Sequence, residues 1–386
     1  MNRRILVILT MMIMVLTNTA FADNILSQDS ELTSYVEHGR VIDVKDFPLS
    51  EEDTYGELIQ EVEVEVTSGR YKGLIYTTDN VISGNPGYDI PVKVGEEIII
   101  QLDEYSDGTV DVYVTDYHRE GYLFKLVLAF IAVLLIVGKL KGFKTVLTIG
   151  ITMFMVWKII LPSILAGFNP VPLTVFSCAV ITVVTILLVS GLRKKSIAAI
   201  IGTICGVLIA GGIAYVIGQN VKMTGMSSEE ATMLLYIPQQ IAFDFKALLF
   251  SGILLGALGA VMDVAMSIAS SIEEVYKANS DQSRGQLFSA GMEVGKDVMG
   301  TMSNTLILAY TGSSIPLLLL FMAYETPTVR MFNLDVIATE IVRSLAGSIG
   351  LILTIPITAV ITVLLLKPEP IPHRESSEEL ATESIE

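Results

Sequence analysis

LGALGAVMDVAMSIASS, residues 255–271, belongs to an apolar run from about 245 to 268, long enough to cross the roughly 30 Å hydrocarbon core of a bilayer. It also holds a carboxylate, Asp263. On a helix, Gly252, Gly256, Gly259, Asp263, Ser267, Ser270 and Glu274 recur at spacings of three or four and form one stripe of small and polar side chains. Glycines in such a stripe let helix backbones approach closely. A carboxylate in a membrane segment costs roughly 3 kcal/mol on insertion scales unless paired, hydrated or protonated, so Asp263 is expected to face protein or water rather than lipid.

The rest of the chain fits that reading. Of 386 residues 52% are hydrophobic, and the mean hydropathy is +0.61, too apolar for an ordinary soluble domain. MNRR, then ILVILTMMIMVL and TNTAFA, has the layout of a secretory signal with cleavage expected after Ala22; an uncleaved anchor would leave the topology unchanged. Seven segments from Tyr122 onward are candidate spans, at about 122–138, 143–161, 172–192, 196–218, 245–268, 299–323 and 342–366. Eleven of the seventeen Lys and Arg residues of this region lie in alternate loops, around Lys139, Arg193, Lys277 and Lys367, which the positive-inside rule places in the cytoplasm. An exported N-terminus and seven crossings put the C-terminus on that same side.

Charge follows this division. Asp23 to Glu120 holds 23 acidic and 6 basic residues, and Lys367 to Glu386 holds 6 acidic and 2 basic. No basic stripe suggests a nucleic-acid partner. Between about 39 and 117, five runs rich in β-formers alternate with turns: RVIDV, IQEVEVEV, KGLIYTT, EEIIIQL and TVDVYVT. In Glu61 to Val66, strict alternation sets valines on one face and glutamates on the other. Five strands in some 80 residues predict a small closed β-barrel, OB-like or SH3-like.

The expected architecture is therefore a membrane α-helical bundle of about seven spans with an N-terminal extracytoplasmic β-barrel. Its parts are a signal peptide (1–22), the β-rich domain (23–120), the transmembrane domain (121–366) and an acidic, disordered cytoplasmic tail (367–386). Cys178 and Cys205 fall in spans and read as small hydrophobes. His38, His118 and His373 are far apart in sequence and lack zinc-site spacing, so no structural zinc and no cofactor is expected; the identity of any metal ligands stays unknown.

The second candidate segment is irregular, with Lys158 inside it and Pro162, Pro170 and Pro172 following. A re-entrant piece and a plain loop both fit. Glu293, Asp297, Thr301 and Asn304 share a face leading into the sixth segment, and two consecutive antiparallel helices should be neighbours. Asp263, Ser267, Glu293, Asp297, Thr301 and Asn304 thus form the candidate ion site, hard oxygen donors suited to a cation, or carboxylates able to exchange a proton. An interhelical hydrogen-bond network would use the same residues. Tyr310 to Pro316 interrupts the sixth segment, either freeing carbonyls for a ligand or kinking the helix; Pro356 suggests a bend in the seventh, and Glu340 and Arg343 should pair at i, i+3. Small-residue pairs at Gly202 and Gly206 and at Gly252 and Gly256 suit contacts within one bundle or between protomers. The glycine-x-glycine-aspartate pattern of intramembrane aspartyl proteases is missing, as are Walker, HExxH, GxSxG and kinase signatures, so no catalytic residues and no enzyme activity are expected.

LGALGAVMDVAMSIASSIEEV, GMEVGKDVMGTMSNTLILAYTGSSIPLLLL and TEIVRSLAGSIGLILTIPITAVI together resemble the YibE/F-like family of bacterial multispanning membrane proteins, common in Gram-positive bacteria. The resemblance covers about residues 36 to 367. It implies a multi-pass cell-membrane location and carries over no activity, substrate or catalytic residue. Two functions fit: a transporter or permease-like protein with an ion- or proton-coupled site between the fifth and sixth helices, or a non-transporting sensor, scaffold or accessory protein whose exported domain binds a wall component or protein. The partners expected are the lipid bilayer, a small ion or solute, and a second copy or another membrane protein.

Overall fold

The computed structural model describes residues 32–48, 58–237 and 241–366. The expected signal peptide and acidic tail lie outside these residues. The chain divides into two compact units, one ending at Val133 and one beginning at Leu134.

The first unit holds all five expected strands, β1 (Leu32–Pro48), β2 (Leu58–Val66), β3 (Ile75–Ile82), β4 (Glu97–Tyr105) and β5 (Val110–Tyr117). They form one antiparallel sheet in the order β3-β2-β1-β4-β5. β1 is longer than the sequence run suggested, because its two halves serve different neighbours: Gly39 to Pro48 pairs with β2, and Leu32 to Arg40 with β4. A register shift between Val41 and Asp43 lets the strand turn, as bulges do.

The alternation in β2 is realised, with Val62, Val64 and Val66 wholly buried and the glutamates between them partly exposed. They pack with Val41, Ile98, Ile100, Leu102 and Val112 on the concave face. Each such side chain stabilises the sheet by about 1.5 to 3 kcal/mol through burial. Buried Gln60 secures the connection between β3 and β4, donating from Nε2 to the Val92 carbonyl at 3.3 Å while its Oε1 accepts from the Val92 N–H at 2.9 Å.

Edge strands β3 and β5 approach where the Thr78 hydroxyl donates to the Val112 carbonyl, but no ladder joins them among the described residues. The sheet is a half-barrel, not the closed barrel expected. Five strands curl far enough to enclose one layer of side chains, and closure would need a continuous β3–β5 ladder.

The second unit is helical. α1 (Glu120–Met155) starts in the first unit and continues through a π turn (Val156–Ile160) into the short α2 (Leu161–Leu165). Then come α3 (Pro170–Ser190), α4 (Lys194–Asn220), short α5 (Glu229–Met233), α6 (Phe245–Ala278), α7 (Arg284–Ser313), α8 (Ile315–Ala323), short α9 (Thr328–Phe332) and α10 (Asp335–Leu366). Five helical stretches are long and apolar enough to cross a membrane, or six when α7 and α8, bent by 58°, count as one span.

Seven were expected. The difference lies in Glu120–Leu165, which merges the first two expected segments into one 46-residue stretch. At about 1.5 Å per residue it would measure roughly 70 Å, more than twice the hydrocarbon core. It is broken at Lys139, whose φ of 48° is not helical, and just beyond, a Cβ at Gly142 would fall on the Leu134 carbonyl oxygen. The irregularity expected near Lys158 is the π turn.

α4, α6 and α10 form the heart of the bundle. A Cβ at Gly202 would strike Thr358 Oγ1, and one at Gly206 would strike Thr354 Oγ1, so this small-residue pair serves packing within the chain. α10 runs unbroken through Pro356 in its assigned range. α6 and α7 lie antiparallel, with Gly291 against Ile272 and Gly295 against Ile268.

Candidate functional site

The side chains of α6 divide sharply. Ala257, Val261, Val264, Ala265, Ile268, Ala269 and Ile272 are buried, whereas Gly252, Gly256, Gly259, Asp263, Ser267 and Glu274 are exposed. At 100° per residue the polar stripe lies opposite the buried one. Sequence periodicity identified the stripe but not its direction: among the described residues Asp263 lies exposed, on the face turned away from the helices that bury Val261 and Val264. Among the described residues, no hydrogen bond or ion pair involves the side chains of Asp263, Asp297 or Asn304. Nothing lies within 4 Å of a Cβ placed at Gly252 or Gly259. Unlike Gly202 and Gly206, these glycines meet no packing partner among the described residues.

α7 behaves likewise. Gly291, Gly295 and Leu306 are buried, while Glu293, Asp297, Thr301, Asn304 and Thr305 are exposed. The Thr301 hydroxyl donates back to the Val298 carbonyl at 3.0 Å and that of Thr305 to the Thr301 carbonyl at 2.9 Å, so these hydroxyls are satisfied within their helix. Lys296 reaches Glu293 at 3.4 Å on the surface. The antiparallel register set by Ile272 with Gly291 and Ile268 with Gly295 runs on to place Asp263 level with Gly300, Ser267 level with Lys296 and Asp297, and Gly259 level with Asn304. The candidate residues therefore succeed one another along two neighbouring helices, with no hydrogen bond joining the two sets among the described residues.

At the far end, α7 leans over the stripe: the Tyr310 hydroxyl would sit 2.7 Å from a Cβ at Gly256. The expected interruption is here, α7 ending at Ser313 and α8 starting at Ile315. It frees no carbonyl at Tyr310, because the Ser313 and Ser314 hydroxyls donate to it at 2.7 and 3.2 Å. Tyr310, Thr311, Ser314, Glu340, Ile341 and Ser344 help line a cavity of about 340 Å³. Glu340 and Arg343 pair at 2.8 Å as expected, and the Arg343 guanidinium lies 5.8 Å from the Tyr310 ring centre. Glu340 Oε2 is buried with no hydrogen-bond partner among the described residues.

Two arrangements escaped sequence reasoning. Lys195 and Glu273, both nearly buried, form an ion pair at 2.8 Å between α4 and α6. In the sheet unit, His38 and His118, far apart in sequence, come together with ring centres 4.8 Å apart. Sheet register does this, since β4 pairs with β1 at one side and with β5 at the other. No local sequence signal announces it.

Five or six long apolar helices following a five-stranded half-barrel define a multispanning membrane protein with an N-terminal sheet unit. The chain belongs to the YibE/F-like protein family, whose model matches residues 126–368, and the YibE/F family N-terminal domain matches residues 37–117. No curated protein and no solved structure matches it.

Proposed function

We propose that the helical unit moves a small cation or proton across the membrane along the polar faces of α6 and α7, with Asp263 as the exchanging carboxylate. Glu293, Asp297 and Ser267 would serve the cytoplasmic end of the route, and Thr301 and Asn304 its middle. One observation carries the reading: a carboxylate in the middle of a spanning helix, at the centre of a Gly and Ser stripe, has no hydrogen-bond or ion-pair partner among the described residues. A charge kept at such a cost marks a substrate path more often than a strut. A second copy of the chain laid over the stripe would seal the path from lipid, and the open glycines at 252 and 259 give it room.

This reading takes the break at Lys139 as the turn between two spans, giving seven crossings with α7 and α8 as one bent span. The basic loops then lie in the cytoplasm, and the sheet unit, an OB-like half-barrel by its strand order, lies outside.

Purified chain reconstituted in proteoliposomes tests it. A pH-sensitive or cation-sensitive dye inside the vesicles should report flux, and Asp263→Asn should abolish that flux with expression and insertion intact. Flux unchanged in Asp263→Asn, or none in the unaltered chain with proton, sodium, potassium and magnesium gradients, overturns the proposal.

A further inference from the structure

We infer that the sheet unit carries a binding site for a divalent transition-metal ion of the zinc class, formed by His38, His118 and Glu120. Glu120 Oε1 lies 3.1 Å from His38 Nε2 and 3.3 Å from His118 Nε2. One ligand atom from each residue fits within 4.8 Å of the other two. A tetrahedral zinc with bonds of about 2.0 to 2.1 Å sets its ligand atoms roughly 3.3 Å apart, a spacing both Glu120 contacts match; the two imidazole nitrogens, within 4.8 Å of each other, would draw together by side-chain rotation as the ion binds. Two imidazoles and one carboxylate are borderline-soft and hard donors of the kind zinc accepts, and a fourth position stays open on the solvent side, where Glu120 is exposed.

Charge makes the same demand. The second nitrogen of His118, Nδ1, lies 2.8 Å from Glu97 Oε2. A neutral imidazole has a single N–H. With carboxylate oxygens facing both ring nitrogens, one contact sets lone pair against lone pair unless a positive entity intervenes, either a second proton on the ring or a metal ion. A proton answers for His118 alone. A metal would also draw on His38, whose Nε2 faces the same Glu120 oxygen.

The surroundings resemble the support that metal-ligating histidines need. Glu97 Oε2, 2.8 Å from His118 Nδ1, would accept from that nitrogen and leave Nε2 free to ligate, as outer carboxylates do at zinc sites. Arg40 Nη2 in turn donates to Glu97 Oε1 at 3.3 Å. The backbone holds the ligands in register: His38 stands opposite Ile99 and Arg40 opposite Glu97, while the His118 N–H donates to the Glu97 carbonyl at 3.2 Å. The His38 N–H donates to Ser68 Oγ at 2.8 Å. Glu120 opens α1, so a bound ion ties the rim of the sheet to the first turn of that helix.

The test uses the full chain in detergent, purified without a histidine tag, stripped with chelator and dialysed against zinc chloride. Bound zinc measured by atomic emission should reach about one per chain, and His373→Ala should retain it. His38→Ala and His118→Ala should lose it; Glu120→Gln and Glu97→Gln, which keep side-chain size, should weaken binding at least 10-fold in a competition titration. Zinc should raise the unfolding temperature of the unaltered chain and leave that of His38→Ala/His118→Ala where it was. Zinc binding equal in the unaltered chain and the double variant, or absent from both, overturns the inference.

Discussion

Lys195 Nζ lies 2.8 Å from Glu273 Oε2, joining the first turn of α4 to the last turns of α6 with both side chains almost out of solvent. Lys277, one turn on, reaches the same carboxylate at 3.4 Å but is half exposed and also holds Glu274 at 2.8 Å. The Lys195 contact is therefore the one whose loss strands a charge. Removing one partner of a buried pair costs about 3 kcal/mol, whereas replacing both with apolar groups is often neutral. Glu273→Ala should lower thermal stability in detergent by about that amount, and Lys195→Met/Glu273→Leu should recover most of it. Equal losses in the single and double variants would show that the pair contributes packing rather than charge.

The two glycine pairs give opposite expectations. Gly202→Val forces a side chain into Thr358 and should destabilise the helical unit by about 1 to 3 kcal/mol through overpacking. Gly252→Ala meets nothing within 4 Å and gains helix propensity, so its stability should rise by up to about 1 kcal/mol. Unfolding temperatures of both variants in one detergent decide it. A penalty for Gly252→Ala would show a covered face there, and its disappearance on dilution to monomer would identify the cover as a second copy.

Much of the fold was legible in the sequence because two periodicities carry it. Val and Glu alternation from 61 to 66 gave β2 and the direction of its buried face, since only one side of a sheet can hold valines away from water. Apolar length gave the helices. Periodicity also grouped Asp263 with Gly256 and Ser267 but could not orient the stripe, because in a membrane both the Ile and Val face and the Gly and Ala face are apolar enough to pack. The span count turns on Lys139, where a positive φ beside Gly138 breaks a continuous helical stretch; apolar length marks the two segments on either side but does not say how sharply the backbone turns between them. His38 with His118 and Lys195 with Glu273 were illegible for one shared reason: each pair is made by register between elements distant in the chain.

Asp89 offers a pH-dependent prediction in the sheet unit. The Ser83 N–H, donating at 2.8 Å, holds its carboxyl below the ordinary value of 3.8, helped by the Ser83 hydroxyl. A lowered carboxyl pKa in the folded state means a contribution fully present above 3.8 and lost as pH falls through the folded-state value. Amide exchange of residues 83–90, corrected for intrinsic rates, should show protection falling below about pH 4 in the unaltered chain. In Asp89→Asn the corrected protection should be lower at neutral pH and flat across that range. A falling profile in the variant would assign the acid sensitivity to another group.

Asp263 should separate stability from function. A buried carboxylate that held the bundle would leave orphaned donors when removed, and its loss would destabilise; Asp263 has no donor among the described residues, so Asp263→Leu orphans nothing. The substitution also removes a charge that costs roughly 3 kcal/mol within hydrocarbon. In lipid nanodiscs, Asp263→Leu should therefore unfold at a higher temperature than the unaltered chain, and in proteoliposomes it should carry no flux. Asp263→Asn should lose flux equally while gaining less stability, because an amide still resists transfer to an apolar medium. A lowered unfolding temperature in Asp263→Leu would mean that the carboxylate is paired in the membrane and acts as a fastener, and its place at the centre of the α6 stripe would then mark an interface.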